Sequence, residues 1–236
     1  MTEQVRIEIE AANQFHGEAV HGERVRLGSP GDYKPCVAKL PGGELLLVAF
    51  LPATLDKGTP REEILLFRSG DGGRTWSRPR NLTSDLDVLG REPYLTVLRD
   101  GTVLITVHFL PKDVRNAASY TRSFVYRSED GGLTWSTTVG EPPDLEEGQS
   151  TCTTRNILEL ADGTLMLGVG GSGQGGCYVW RSNDGGKTWN EKYPSQIEEL
   201  DARYPYAFFG EGVWWQTRSG KIYLINRLDP HYVGRF

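Results

Sequence analysis

The sequence repeats RSGDGGRTWS (68–77) as RSEDGGLTWS (127–136) and again as RSNDGGKTWN (181–190). All three copies follow the pattern R-S-x-D-G-G-x-T-W, and their aspartates Asp71, Asp130 and Asp184 are 59 and 54 residues apart. A motif that returns at a nearly constant interval indicates one structural unit used several times. The repeat therefore predicts a fold built from several copies of one structural unit.

A second repeat interleaves with the first and has the pattern of a β-hairpin: an apolar run, a tight turn with a glycine, and another apolar run. Its copies span 35–50, 93–109, 155–171 and 212–228, with turn glycines Gly43, Gly101, Gly163 and Gly220. A third run (EILLFRS, SFVYRS or CYVWRS), the R-S-x-D-G-G-x-T-W turn and a short fourth run follow the first three hairpins. Four antiparallel strands in each unit of about 58 residues predict an all-β chain of repeated four-stranded sheets.

The composition excludes several classes of partner. The net charge of -5 lacks the basic footprint of a nucleic-acid-binding protein. No segment reaches the roughly 18 apolar residues that a membrane helix needs. We therefore expect neither nucleic acid nor a membrane among the partners.

The three cysteines, Cys36, Cys152 and Cys177, have no metal-ligand spacing. We interpret them as reduced, half-buried strand residues of a cytoplasmic protein. We expect no metal or other cofactor. The N-terminal stretch MTEQVRIEIEAANQ has no apolar core of the kind that a signal peptide requires. A removed signal peptide would leave the same sequence, so localisation is cytoplasmic or unknown.

The composition of the R-S-x-D-G-G-x-T-W turn points to a structural clasp. Aspartate, serine and threonine side chains can bond to backbone N–H groups within such a turn, and glycine adopts backbone angles that other residues avoid. The tryptophan adds a large apolar plug. The residues assigned to this clasp are Asp71, Trp76, Asp130, Trp135, Asp184 and Trp189. A sugar or metal site at the three aspartates is the less favoured alternative.

This turn resembles the Asp box, or BNR repeat, of the sialidase (neuraminidase) superfamily, and the resemblance covers nearly the whole chain. It implies a β-propeller of the six-bladed sialidase type, with about three and a half blades present. The blades would span approximately 33–90, 91–152, 153–209 and 210–236, the last being incomplete.

The first strand of a propeller blade is innermost, so the residue that begins it lies at the mouth of the central channel, where several blades converge. Aligning the hairpins on their turn glycines gives two columns at this mouth. The residues nine before the glycine are Lys34, Glu92, Thr154 and Glu211, and those seven after it are Phe50, His108, Gly170 and Arg227. Arg91 and Arg155 lie one residue off the first column and are secondary candidates. These unlike and mostly charged residues indicate a polar ligand site, although each charge taken singly is equally typical of a solvated rim.

The resemblance also implies roles for three of these positions and for Asp56. In the family an Arg-Ile-Pro segment opens the first blade, and its Arg binds the sialic acid carboxylate; here Lys34 takes that place within Tyr33-Lys34-Pro35-Cys36. Glu211 and Arg227, 16 residues apart, resemble the family's Glu that activates the nucleophilic Tyr and an Arg of the carboxylate-binding triad. Asp56 matches the acid/base Asp on the loop after the second strand. It would protonate the leaving oxygen.

The remaining family parts, a third Arg and the nucleophilic Tyr, come from later blades and are not found here. Tyr204, Tyr206 and Tyr232 are near in sequence, but none matches the family position. The fourth repeat reaches Phe236 without a fourth Asp box. A retaining mechanism requires that nucleophile.

The leading hypothesis is a sialidase-like glycoside hydrolase that acts on a terminal acidic sugar by exo-α-sialidase-type hydrolysis. The second is a non-catalytic carbohydrate-binding propeller, with Tyr33, Phe50, Trp214 and Trp215 as stacking candidates; adjacent tryptophans, however, more often supply one core and one surface residue. The third is a protein-interaction scaffold. Because an unclosed propeller exposes apolar faces and strand edges, we also expect a homo-oligomer contacting near 5–10 and 205–236, or missing C-terminal blades that complete the propeller.

Overall fold

The computed structural model describes residues 5–7, 22–28, 32–54, 60–83, 88–111, 122–139, 151–153, 155–171, 177–189, 191–194 and 208–229. Within these ranges every regular element is a β-strand, and all strand pairs are antiparallel. No helix in this part of the chain is long and apolar enough to cross a membrane. The predicted all-β class is confirmed.

Two consecutive four-stranded sheets follow a short N-terminal pair of strands. The N-terminal pair consists of β1 (Val5–Ile7) and β2 (Gly22–Arg24). The first sheet contains β3 (Tyr33–Lys39), β4 (Leu45–Thr54), β5 (Pro60–Ser69) and β6 (Arg80–Asn81). The second sheet contains β7 (Val88–Val97), β8 (Val103–Pro111), β9 (Arg122–Ser128) and β10 (Ser136–Val139). In both sheets the strands lie side by side in chain order, as the doubled repeat predicts.

The third and fourth sheets vary this plan. The third contains β11 (Thr151–Thr153), β12 (Leu158–Glu159), β13 (Leu165–Gly171), β14 (Cys177–Ser182) and β15 (Glu191–Pro194). Both β11 and β12 pair with β13, so they are two halves of one interrupted innermost strand. The fourth sheet is the hairpin of β16 (Phe208–Gln216) and β17 (Ile222–Asp229).

The four hairpins turn at glycines in the left-handed backbone region. Gly43, Gly101, Gly163 and Gly220 have φ of 92°, 91°, 89° and 83°. A side chain is strained at these angles, which explains why glycine recurs there. The turns fix the register of each pair, such as Lys39 with Leu45 and Val97 with Val103.

The second sheet buries both of its faces. In β8, Val103, Ile105 and Val107 pack against the first sheet, while Leu104 packs against the third. The core between the first and second sheets comprises Leu40, Leu46, Val48, Phe50, Ile64, Leu66, Leu95, Val103, Ile105, Val107 and Tyr126. The core between the second and third sheets comprises Leu98, Leu104, Val125, Ile157, Leu165, Leu167, Val169, Trp180 and Trp189. Period-two alternation thus lets one strand serve two cores.

Each R-S-x-D-G-G-x-T-W turn forms the same hydrogen-bonded clasp. In the second copy, Ser128 Oγ donates to Asp130 Oδ1 (2.7 Å) and accepts from Gly132 N (2.8 Å). Thr134 donates through its backbone N to Oδ1 (2.9 Å) and through its hydroxyl to Oδ2 (2.6 Å). Asp71 and Asp184 accept the matching bonds in their own turns.

These bonds favour the ionised carboxylates. Hydrogen bonds from Thr75 hold the pKa of Asp71 at about 2, below its ordinary 3.8. Burial raises the pKa of Asp184, but bonds from Thr188 and Ser182 outweigh it and bring the pKa to about 2. The Thr134 hydroxyl lowers the pKa of Asp130 further still.

The tryptophans of these turns differ in burial. Trp76 and Trp135 are half-buried, and their indole nitrogens donate to Gly73 O (2.9 Å) and Gly132 O (3.1 Å). Trp189 is buried in the core between the second and third sheets. Trp189 is therefore the buried apolar residue that the motif predicts, whereas Trp76 and Trp135 remain partly exposed to solvent.

The arginines of the first two clasps each bond to the next clasp. Arg68 Nη2 donates to Gly131 O (2.6 Å), and Arg127 Nε donates to Gly185 O (2.8 Å). Each bond joins the first residue of one motif to the first glycine of the following motif. The repeated turn therefore links neighbouring sheets as well as closing its own hairpin.

We predict that Asp130→Asn lowers the melting temperature at pH 7 by about 3–8 °C, because the amide cannot accept all the clasp bonds. A carboxylate whose folded pKa is depressed contributes stability that is fully present above its ordinary pKa and lost as pH falls through the folded pKa. The difference in melting temperature between the variant and the wild type should therefore narrow progressively below about pH 4, where the carboxyl of the unfolded chain binds a proton that the folded carboxylate does not yet take up. Thermal unfolding followed by circular dichroism from pH 7 to pH 2 measures this.

Asp162→Asn is the matched control, since Asp162 also lies in an exposed turn and accepts the Thr164 N–H at 2.9 Å but lies outside the three clasps. Its loss in melting temperature should be smaller. Equal losses in both variants, or a difference that does not change with pH, would contradict the clasp.

The outward face of the fourth sheet is apolar and exposed. Val213, Trp215, Tyr223 and Ile225 are 38%, 41%, 44% and 65% exposed, and the Trp215 and Tyr223 rings stack with centroids 5.2 Å apart. Exposed apolar patches of this kind promote association. In the second sheet both faces are buried against neighbouring sheets, whereas this face of the fourth sheet is exposed.

We predict that the chain associates through this face and that the double variant Trp215→Ser/Ile225→Ser reduces association. Light scattering across a dilution series measures the average mass, which should fall toward 26.3 kDa in the variant. Leu133→Ser, at a 61% exposed position in the second clasp, is the control. A wild-type chain that is monomeric at all concentrations would show that this face needs no cover.

Candidate functional site

The innermost strand of every sheet is interrupted at the same place. The register of β3 shifts between Tyr33 and Cys36, that of β7 between Arg91 and Tyr94, and that of β16 between Gly210 and Val213. In the third sheet the break between β11 and β12 falls at the equivalent position. A bulge of this kind turns a side chain away from the regular alternation of the strand.

Lys34 and Glu92 occupy the same position in two of these bulges. Their φ angles are 48° and 52°, in the left-handed region that residues with a Cβ seldom adopt. Such backbone strain costs about 1 kcal/mol or more and persists where the surrounding structure enforces it. Each of the two is followed by proline, Pro35 or Pro93, which restricts the bulge further.

Three charged side chains from three consecutive sheets meet at this level. Lys34 Nζ donates to Glu92 Oε1 in a short ion pair, and Arg155 Nη2 lies 3.7 Å from Glu92 Oε2. The side chains of Lys34, Glu92 and Arg155 are 22%, 19% and 25% exposed. We call these three residues the mouth cluster. It presents both hydrogen-bond donors and a carboxylate in a partly dry setting.

The mouth cluster lies at the opposite end of the sheets from the clasps. In β4, Leu45 pairs with Ser69 at the start of the first clasp, whereas Phe50 pairs with Tyr33 beside the bulge. Five residues of strand separate the two ends, or roughly 17 Å. The clasp aspartates are therefore spatially distinct from the cluster.

The backbone of Arg155 is held by both neighbouring sheets. Thr106 Oγ1 of the second sheet donates to Arg155 O (2.8 Å), and Arg155 N donates to Gly212 O of the fourth sheet (2.7 Å). Thr106 is 1% exposed, so the first bond is buried. The sequence made Arg155 only a secondary candidate, because it lies one residue off the first column. In the structure its guanidinium nevertheless lies beside Glu92.

A third column, formed by the residues seven before each turn glycine, joins neighbouring sheets close to the mouth cluster. Cys36 Sγ accepts from Leu95 N (3.4 Å) in the next sheet. Asn156 makes the equivalent contact twice, with its amide donating to Trp214 O (2.9 Å) and accepting from Trp214 N (2.8 Å). The predicted site did not include this column, although aligning the hairpins on their turn glycines brings Cys36, Tyr94 and Asn156 into line.

Tyr94 belongs to the same column in the second sheet and lies near Cys36 and Arg155. Burial raises the pKa of the Tyr94 phenol, with Cys36 adding to the shift and Arg155 opposing it. Burial also raises the pKa of the Cys36 thiol. Both groups are therefore protonated at neutral pH, which favours hydrogen bonding over nucleophilic attack.

Two residues expected at the mouth are enclosed instead. His108 is 7% exposed, and its Nε2 accepts from Thr153 N (3.0 Å), so that nitrogen has no lone pair left for a ligand. Phe50 is 3% exposed within the core between the first and second sheets. In the first and second sheets, the residue seven after the turn glycine therefore lies among the sheet interfaces, and a ligand role for His108 stays a prediction.

The aromatic stacking candidates divide between core and surface. Trp214 is 7% exposed, and Trp215 lies on the outward face of the fourth sheet. The expectation of one core and one surface ring fits this pair. The structure describes the backbone of Tyr33 but not its side chain.

The remaining candidates are placed only through the backbone or lie outside the description. Arg227 pairs with Gly210 in the fourth hairpin, and Glu211 lies in the adjoining bulge, equivalent to Lys34 and Glu92. Arg91 is partly buried in β7. Asp56 and Thr154 lie outside the described residues, and Gly170 pairs with Cys152 and Cys177.

A separate cleft of about 670 Å³ lies between residues 25–28 and the outer strands of the first sheet. Its lining includes Arg26, Glu63, Phe67 and Trp76. It lies on one sheet only, whereas the mouth cluster combines side chains from three. Among the residues that the structure describes, no group of three or more His, Cys, Asp or Glu is arranged to hold a metal ion.

The family comparison identifies the repeat. The BNR repeat-like domain matches residues 18–222, which is most of the chain. This chain belongs to the BNR repeat-like domain family. The propeller fold and the relationship to sialidases that the Asp boxes predicted are confirmed.

Individual relatives include several glycoside hydrolases. The chain is 25% identical over 181 residues to the xyloglucanase Xgh74A of Acetivibrio thermocellus, covering 72% of this chain and 20% of that protein. It is 28% identical over 141 residues to a sialidase of Bacteroides fragilis (strain YCH46), covering 57% and 24%. The chain thus spans about a fifth to a quarter of the length of these curated relatives.

Solved structures share the fold at low identity. The Hadza microbial sialidase Hz136 superposes with a TM-score of 0.63 at 17% identity, over 84% of this chain and 42% of that one. An α-L-arabinanase of Penicillium chrysogenum, solved with arabinobiose, gives 0.57 at 19% identity, over 84% and 58%. These likenesses show that the chain has a β-propeller fold.

We predict that Asn156→Ala destabilises the protein by about 2–3 kcal/mol, because it leaves Trp214 N and O without their partner in a largely buried setting. Urea unfolding measures the change. Asn183→Ala, at an exposed position whose amide contacts Thr164 Oγ1 at 3.3 Å, should cost less than about 0.5 kcal/mol. Equal effects would show that the Asn156 bridge does not join the sheets.

Proposed function

We propose that this chain forms part of a sialidase-like glycoside hydrolase that binds a terminal sugar at the mouth of its propeller. The observation that carries the proposal is the convergence of Lys34, Glu92 and Arg155 from three consecutive sheets. Convergent polar side chains on a rigid frame are typical of binding sites. Membership of the BNR repeat-like family and similarity to a sialidase and a xyloglucanase support a carbohydrate ligand.

The proposed chemistry assigns two carboxyl groups. Asp56 would protonate the leaving oxygen, and Glu211, next to Arg227 in the fourth hairpin, would act as the base toward a nucleophile. The mouth cluster would position the sugar through its hydroxyl groups, with Lys34 and Arg155 as donors and Glu92 as acceptor. The tyrosine nucleophile that the retaining mechanism of the family uses is not assigned to a residue of this chain.

The narrower prediction from the sequence is exo-α-sialidase-type hydrolysis of an acidic sugar, for which Lys34 and Arg227 would be the carboxylate-binding groups. A non-catalytic carbohydrate-binding propeller is the second candidate. It is favoured by the ion pairs of Glu92 with Lys34 and with Arg155. These pairs form a polar surface that could bind a sugar without a reaction. Hydrolysis and binding must therefore be measured separately.

We predict that the chain binds a simple sugar and releases 4-methylumbelliferone from one of three glycosides: the N-acetyl-α-neuraminide, the α-L-arabinofuranoside or the β-D-xyloside. Asp56→Asn should reduce kcat at least about 100-fold when the leaving group is a sugar or alkyl alcohol. The loss should be smaller for methylumbelliferyl substrates, because a phenolic leaving group needs less protonation. Fluorescence assays for the aryl substrates and sugar-release assays for the others measure both rates.

Glu129→Gln is the control, since Glu129 is an exposed carboxylate of the second clasp that pairs with Arg127. It should leave binding and hydrolysis unchanged. Binding without hydrolysis of any substrate would favour the carbohydrate-binding alternative. A chain that neither binds nor cleaves sugars would contradict the proposed function.

A further inference from the structure

Glu92 lies between the two cations of the mouth cluster. One carboxylate oxygen accepts from Lys34 Nζ, and the other lies 3.7 Å from Arg155 Nη2. All three side chains are between 19% and 25% exposed, so solvent screens these pairs less than it screens surface pairs. The positive charges of the mouth cluster are therefore already opposed by a carboxylate of the chain itself.

The position of this carboxylate is fixed by its backbone. Glu92 has φ of 52° within the bulge of β7, and the residue after it, Pro93, is buried. Proline limits the conformations of the residue before it. Moving the carboxylate away from the cations would therefore rely on side-chain rotation alone and would break the Lys34 pair.

A sugar acid and a neutral sugar meet this arrangement differently. A ligand carboxylate that approaches Lys34 and Arg155 comes close to the Glu92 carboxylate, and neighbouring like charges disfavour each other. A sugar hydroxyl, by contrast, can accept from the ammonium or guanidinium and donate to the carboxylate. The paired charges suit hydroxyl groups and oppose a second anion.

We propose that Glu92 determines the charge specificity of the mouth, which accepts uncharged terminal sugars and rejects sugar acids. This inference rests on the proposed function, because it concerns which sugars the same mouth binds. It differs from the acidic sugar predicted from the sequence, since the sequence did not show that a carboxylate separates Lys34 from Arg155.

The test compares ligands that differ in a single carboxylate. Ligand-observed NMR titrations give dissociation constants for galactose against galacturonic acid and for glucose against glucuronic acid, with arabinose and N-acetylneuraminic acid as further probes. For the wild-type chain we expect each neutral sugar to bind about 10-fold more tightly than its acid. Raising NaCl from about 0.05 M to about 0.5 M should reduce that preference, because salt screens the repulsion.

Glu92→Gln removes the charge while keeping the shape. The ratio of acid to neutral dissociation constants should fall about 10-fold in this variant, so that sugar acids bind at least as well as neutral sugars. Glu129→Gln is the matched control, because Glu129 also lies between two cations, 2.7 Å from Arg127 Nη2 and 3.7 Å from Lys187 Nζ, but in the second clasp. Its ratio should equal that of the wild type.

Each outcome decides the proposal. A wild-type preference for neutral sugars that Glu92→Gln removes and Glu129→Gln retains supports it. Equal or tighter binding of the acids by the wild type overturns it while leaving the proposed function intact, as does an equal change in both variants. If Glu92→Gln does not fold, the wild-type ratios and their salt dependence decide alone. Failure of the wild type to bind any probe overturns the proposed function and this inference together.

Discussion

Hydrogen bonds from a side chain of one sheet to the backbone of the next hold this structure in register. Arg68 and Arg127 donate to glycine carbonyls of the following clasp at one end of the sheets. Cys36 and Asn156 contact the backbone of the following innermost strand nearer the other end. Apolar packing between sheets is strong but non-directional, so it permits sliding. Directional bonds at both ends remove that freedom. Because the partner of each side chain is a backbone group, the contact does not depend on the side chain of the partner residue.

The mouth cluster depends on this register. Lys34, Glu92 and Arg155 come from three sheets, and a shift of one sheet past its neighbour by one residue, about 3.4 Å, would separate their charges. The strained backbone at Lys34 and Glu92 fits the same view, since unfavourable φ angles persist only where the surroundings enforce them. Rigidity at the clasps and strain at the bulges belong to one arrangement, in which the clasp end of each sheet helps to hold the bulge end in position.

The repeat and the fold recur in proteins with different names. A sialidase and a xyloglucanase resemble this chain in sequence, and an arabinanase shares its fold. The residues that begin the innermost strands project from bulges, outside the cores, and can therefore change without disturbing the packing between sheets. In this chain a carboxylate occupies one such position between two cations. Under the function proposed above, the charge at that position acts on ligand selection.

The sequence by itself determined the hairpins, their glycine turns and the clasp around Asp130, because each depends on residues close together in the chain or on the spacing of the repeat. It also aligned Lys34 with Glu92. Only the tertiary structure decided that Arg155 joins them, that His108 and Phe50 are enclosed, and that Arg68 bonds to the following clasp. These outcomes depend on the distance and angle between sheets, which arise from side-chain packing across residues about 60 positions apart. A pattern that reports which residues are equivalent does not report which of them touch.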